Sequence, residues 1–149
     1  MATQYTAGLT TGQVLTAATM NSIGAAWESY TPTWTQSGAI TKTVTYAKYT
    51  RINKLVIASV SMVATGAGTG NNAIIVGLPL SAAQTTNLPI GSGFIYDAST
   101  NTIYNGTVQA ISATTAQMYY QTGNAIGVSP NFAIASSDQI QIFVMYEAA

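Results

Sequence analysis

Apolar residues recur along this chain with two different periods, and the change falls between Trp27 and Trp34. Before it, Met20, Ile23 and Trp27 stand three and four residues apart, which places them on one face of a helix over 16–27. Thr16 is positioned to cap that helix, and Leu15, just ahead of the cap, to pack on Met20 or a nearby residue. Gly24 weakens the helix by about 1 kcal/mol, so it needs a surface to lie on. That surface is either its own chain's β domain or a neighbouring subunit.

Beyond Pro32, which disfavours helix at the residue before it, the period is two. A strand is expected over 41–52, with Val44 and Tyr46 on one face and Thr43, Thr45 and Tyr49 on the other. Asn53 turns it, and 55–64 returns with Val56, Ala58, Val60 and Met62 in phase. TGAGTGNN (65–72) is a loop by composition. Further strands are expected around Ile74, Val76 and Leu78, over 88–96, and as a hairpin of 102–112 with 115–121. A weaker strand lies around Ile126 and Val128. The last strand alternates Ile140, Ile142, Val144 and Tyr146 with Gln139, Gln141, Phe143 and Met145, so both of its faces call for burial, the second between subunits.

This spacing predicts a mainly β protein, a jelly-roll-like antiparallel β-sandwich preceded by an N-terminal arm and one short helix; an immunoglobulin-like sandwich is the second choice. The boundary falls between 1–30, arm and anchor helix, and 31–149, the β domain. In the arm only Tyr5 and Leu9 are bulky, and a neighbouring molecule is expected to hold them.

Charge changes the picture most. Only 5% of the 149 residues are charged and the formal net charge is zero, against about 25% charged in ordinary soluble domains. The polar surface must therefore come from 23 Thr, 12 Ser, 9 Asn and 9 Gln. Such a surface does not repel its own copies, which suits an assembly. The opening MATQYTAGLT has neither the basic residues nor the apolar run of a signal peptide, and no 18-residue apolar run exists to span a membrane.

No catalytic residue is assigned. Histidine and cysteine are absent, which removes the usual proton-taking base and the imidazole and thiolate metal ligands. The acids are Glu28, Asp97, Asp138 and Glu147, and two of them sit where aspartate usually caps a turn. TGAGTG lacks the Lys-Ser/Thr of a phosphate loop. No metal, cofactor or nucleic acid is expected. The four basic residues Lys42, Lys48, Arg51 and Lys54 crowd into thirteen positions; they meet an acidic partner surface or guard a sheet edge. The tyrosines and tryptophans read first as core and second as sugar-stacking platforms.

The run GQVLTAATMNSIGAAWESYTPTW (12–34) resembles the opening of a family of tailed-bacteriophage virion proteins. There a Leu-Thr-Ala start leads a short Asn-containing helix, a Trp-containing junction and a Thr-Pro-Thr-Trp step into a β domain. The matching residues are Leu15, Thr16, Ala17, Asn21, Trp27, Tyr30, Pro32 and Trp34. YTRINKLV (49–56) is similar to the family's Tyr-x-Arg stretch, turn and Lys-x-Val return, and Leu78-Pro79 to its strand end. Thr19 departs from the pattern where an acid would reach back to the cap, and Asn53 where glycine is usual.

The resemblance implies a non-enzymatic minor tail, tail-fibre or head-decoration protein, assembled in the host cytoplasm into a virion. A capsid decoration protein is the first expectation, since the chain has no coiled-coil shaft. A tail-fibre or receptor-binding tip, reading a host surface glycan, is the alternative. The expected partners are further copies, as a homotrimer with Phe143 and Met145 between subunits, and capsid or tail proteins. The expected anchor comprises Tyr5, Leu9, Leu15, Met20, Ile23, Trp27, Tyr30 and Trp34.

Overall fold

The computed structural model describes residues 26–83, 85–121 and 123–149. The expected helix, and with it Tyr5, Leu9, Leu15, Met20 and Ile23, lies outside the described residues apart from its last positions. Ala26 and Trp27 are not helical, and among the described residues no helix occurs.

Ten strands form: β1 (Glu28–Ser29), β2 (Trp34–Gln36), β3 (Gly38–Ala39), β4 (Lys42–Ile52), β5 (Leu55–Ala64), β6 (Ile75–Gly77), β7 (Leu88–Asp97), β8 (Thr102–Ala110), β9 (Thr115–Tyr119) and β10 (Gln139–Glu147). All pair antiparallel in one sheet, ordered β1-β4-β5-β10-β7-β8-β9-β6-β2-β3. The mainly β, antiparallel expectation is met. The hydrogen bonding runs through one continuous sheet, where a sandwich would divide it into two.

The sheet curls until its ends meet. Ala39 and Lys42 are three Cα steps apart, at most about 11 Å, although β3 and β4 stand at opposite sides of the strand order. Consecutive residues staple the two sides together. The Ile40 N–H donates to Trp34 O on β2 at 2.8 Å, while Thr41 O accepts from Thr65 N–H at 2.8 Å, just past β5.

Inside the curl lie Val56, Ala58, Val60 and Met62 of β5 and Ile140, Ile142, Val144 and Tyr146 of β10, the in-phase sets expected from period two. Trp34, Ile74, Ile95 and Val108 complete the core. Asn53 turns β4 into β5 with φ of 54°, a left-handed conformation asparagine tolerates. One expectation fails in β4. A bulge between Val44 and Tyr46 shifts the register, so Val44 falls opposite buried Met62 and Tyr46 opposite Ser61. The two therefore take opposite phases, because the inserted Thr45 breaks the alternation. Its hydroxyl donates to Ser61 O at 2.9 Å.

Loops close both ends of the curl. At one end, residues 78–83 bond to Thr114 O and Ala113 O on one side and Glu147 O on the other. The Tyr146 hydroxyl donates to Leu80 O at 2.8 Å, and burial pushes its pKa up to about 12. At the opposite end, residues 125–134, expected as a weak strand, make only isolated bridges. Ile126 and Ile134 are nonetheless fully buried, and Val128 is exposed.

The clamp at that end is Gln36. Its side chain is fully buried. Its amide nitrogen donates to Asn72 O at 3.1 Å and Phe132 O at 2.8 Å, and its oxygen accepts from the Ile134 N–H at 2.8 Å. Both donors are used, so one amide ties β2 to two loops. Glycines allow the close approach: a Cβ at Gly68 would stand 2.2 Å from Gln36 Oε1. Gly127 has φ of +96°, and a Cβ there would stand 2.9 Å from Gln36 Nε2.

Gln36→Leu strands these three backbone groups and is expected to cost about 2–5 kcal/mol, read as a lower urea midpoint at unchanged slope. Gln36→Glu buries a carboxylate, whose folded pKa rises above its unfolded value. Its cost is therefore full at neutral pH and shrinks as pH falls through the folded pKa. Urea melts at pH 7 and pH 4 check that sign.

Candidate functional site

The curl leaves one sheet face outside, and the register dictates what it carries. Reading across paired residues, one row runs Tyr46, Ser61, Gln141, Phe94, Asn105 over β4, β5, β10, β7 and β8. The next runs Lys48, Ser59, Phe143, Ser92, Thr107, Tyr119 and reaches β9. A third begins Thr50, Ile57, Met145. Rows stand about 7 Å apart and neighbouring strands about 4.8 Å. Apart from Lys48, these rows carry only hydroxyls, amides, aromatic rings and apolar side chains.

Two shallow clefts open on this face. One, of about 450 Å³, is lined by Tyr46, Ser59, Ser61, Phe94, Gln141 and Phe143. Beside it Phe143 and Met145 on central β10 are half exposed, at 51% and 54%. The other, of about 430 Å³, lies over β8 and β9 and is lined by Asn105, Thr107, Gln109, Tyr119, Tyr120 and Gln121.

The basic residues do not gather. Lys48 lies on the outer face with its ammonium 5.8 Å from the Tyr46 ring centre. Lys42 and Arg51 take the inward phase near the two ends of β4, opposite Ala64 and Val56. Arg51 donates to Asn53 O in the turn. Lys54 pairs with Glu147 at 3.6 Å, both exposed, a contact of small worth. Around the junction, Trp27 is 46% exposed, Trp34 is core, and Tyr30 packs edge-on to Tyr49 with ring centres 5.9 Å apart. The Tyr49 hydroxyl donates to Glu28 at 2.8 Å, which ties β1 to β4.

Asp97 and Asp138 do meet, at the turn end of β7 and the start of β10, and both are buried. Their oxygens are occupied by the fold. Asp97 Oδ1 accepts from the Ser99 N–H, the Ser99 hydroxyl and the Thr100 N–H. Asp138 accepts from Ala98 N–H and Ala135 N–H, one on each oxygen. Burial raises the Asp97 pKa, but the bonds from Ser99 and Thr100 together outweigh it and hold the carboxyl below its ordinary value. Burial likewise raises Asp138, and there it wins over the two backbone bonds, helped by the charge of Asp97. Among the described residues no group of three or more His, Cys, Asp or Glu side chains stands together.

Sequence reasoning put Phe143 and Met145 on one outward-looking phase of the last strand and named Lys48 only among the clustered basic residues. It did not single out Ser59, Ser61, Gln141, Asn105, Thr107 or Tyr119 as one surface. The signal was the off-phase half of each strand, which becomes a surface only once strand order is known. No family model, curated protein or solved structure matches the chain.

Asp97 stabilises the fold above its ordinary pKa of 3.8, and that contribution is lost as pH falls through the lower folded value. Asp97→Ala is expected to cost about 1–2 kcal/mol at pH 7, with the gap to the parent closing in acid. Thermal melts between pH 7 and pH 2.5 measure it.

Proposed function

We propose that this chain is a non-enzymatic structural protein of a tailed-phage virion, a capsid decoration protein whose N-terminal segment anchors and whose jelly-roll-like curled β domain is displayed. The observation that carries the reading is the charge-poor outer sheet face, with Lys48 the one charged side chain in its central rows and Phe143 and Met145 half exposed at its centre. Apolar side chains at the middle of a sheet, flanked by serine and amide, suit a contact that excludes water. A face so poor in charge does not repel its own copies, so the occupant is a second copy, and heterologous contacts that close about a threefold axis make a trimer. The N-terminal segment then holds capsid protein, and many such contacts stabilise the shell by mass action. The resemblance of residues 12–34 to phage virion proteins supports the same placement.

A tail-fibre or receptor-binding tip is the second reading. It is favoured by the amide and tyrosine cleft over β8 and β9, strands that do not pair with β1.

The purified chain is expected to sediment as a trimer and to raise the disruption temperature of tailed-phage capsids that bind it. Phe143→Glu with Met145→Glu should give a monomer that still melts cooperatively, since both side chains face solvent in the single chain. A parent protein that is monomeric at high micromolar concentration and binds no capsid overturns the reading. Binding to tails alone moves the protein to the second one.

A further inference from the structure

The cleft over β8 and β9 has a chemistry of its own. Its floor is set by the pairing of Thr107 with Tyr119, with Asn105 and Gln109 two residues to either side on β8. Gln121 extends the rim beyond β9.

Several amides outside the cleft are engaged by the fold. Gln36 and Asn72 bond loop carbonyls, Asn131 accepts from Asn71 N–H, and Asn101 accepts from the Tyr96 hydroxyl. The side-chain polar atoms of Asn105, Thr107, Gln109, Tyr119 and Gln121 make no hydrogen bond to other described residues. Three amides, a hydroxyl and a phenol therefore face one concavity with their donors and acceptors unspent. Each amide offers two donors and an acceptor, and the hydroxyl and phenol offer both roles.

A ligand for this site must satisfy many mixed donors and acceptors, carry no charge and present an apolar face to a tyrosine ring. A pyranose does all three: its hydroxyls both donate and accept, and its C–H face packs on an aromatic ring. The volume of about 430 Å³ lies within the range of small-ligand clefts, with room for the end of an oligosaccharide. No charged side chain lines the cleft, so nothing there would repay the desolvation of a carboxylate or sulfate.

We infer that the Asn105–Thr107–Tyr119 cleft binds the end of a neutral glycan. Phe143 stands three strands from Tyr119 in the same row, roughly 14 Å away, so the glycan and a second copy on Phe143 occupy separate ground. The inference stands whether the protein sits on a head or a tail.

The test is titration calorimetry of the full chain with neutral oligosaccharides ending in galactose, glucose or N-acetylglucosamine, beside sialylated and sulfated ones. At least one neutral class is expected to bind and the charged ones to bind at least about tenfold more weakly. Tyr119→Ala and Asn105→Ala should each weaken binding by about tenfold, while Tyr119→Phe, which keeps the ring, loses only a fewfold. Phe143→Glu should leave glycan binding unchanged even where it dissolves the oligomer. Thermal melts confirm that each variant folds, and Tyr119→Phe carries the comparison should Tyr119→Ala not. Absence of binding to every neutral class, a preference for charged glycans, or binding indifferent to both Tyr119→Ala and Asn105→Ala overturns the inference.

Discussion

One carboxamide holds the open end of the molecule in place. Gln36 sits on a three-residue strand, yet its side chain reaches backbone groups of residues 72, 132 and 134, which lie far along the chain. A buried amide with every donor used is strong in its low-dielectric setting and costly to disturb. It fixes the loop after β5 and the long connection before β10 relative to β2. That connection then delivers Ile126 and Ile134 to the core and Phe132 to a stacked contact with Tyr104, at 4.8 Å between ring centres. Remove the amide, and the apolar lid has no reason to sit where it does.

With the end closed, the inside of the curl is dry and the outside inherits whatever the alternate phase of each strand supplies. In β5 that phase is Leu55, Ile57, Ser59, Ser61 and Val63; in β10 it is Gln139, Gln141, Phe143, Met145 and Glu147. Few residues there are charged because few exist in the chain. The same scarcity that leaves the surface neutral thus concentrates recognition into aromatic faces, hydroxyls and amides. Charge here serves local ends: two aspartates cap turns, Lys54 meets Glu147, and Glu28 ties down β1.

The long strands were legible because each buries one face, and alternation over nine to eleven residues is hard to mistake. The turns at Asn53 and Asn101 were legible from residue type, and both take positive φ. Three things were not. Strands of two or three residues, β1, β2 and β3, are too short to show a period. The bulge at Thr45 changes phase without any glycine or proline to mark it. Gln36 looks like any polar residue after a tryptophan, since its role depends on partners 36 to 98 residues away. The single curled sheet escaped notice for the same reason, because closure is written in which distant strands meet. The candidate site fared likewise: its residues were visible individually, and only register assembles them into rows.

The manner of closure has a further consequence. Among the described residues the sheet's outermost strands, β1 and β3, are two residues long, and Ile40 and Thr41 stitch the two sides together. β1 pairs with β4 only at Tyr49 and Lys48, and the stitch at Ile40 and Thr41 narrows the seam open to strand addition. The broad outer surface offers side chains instead. A contact made on that surface would contain few ions and would therefore depend little on ionic strength.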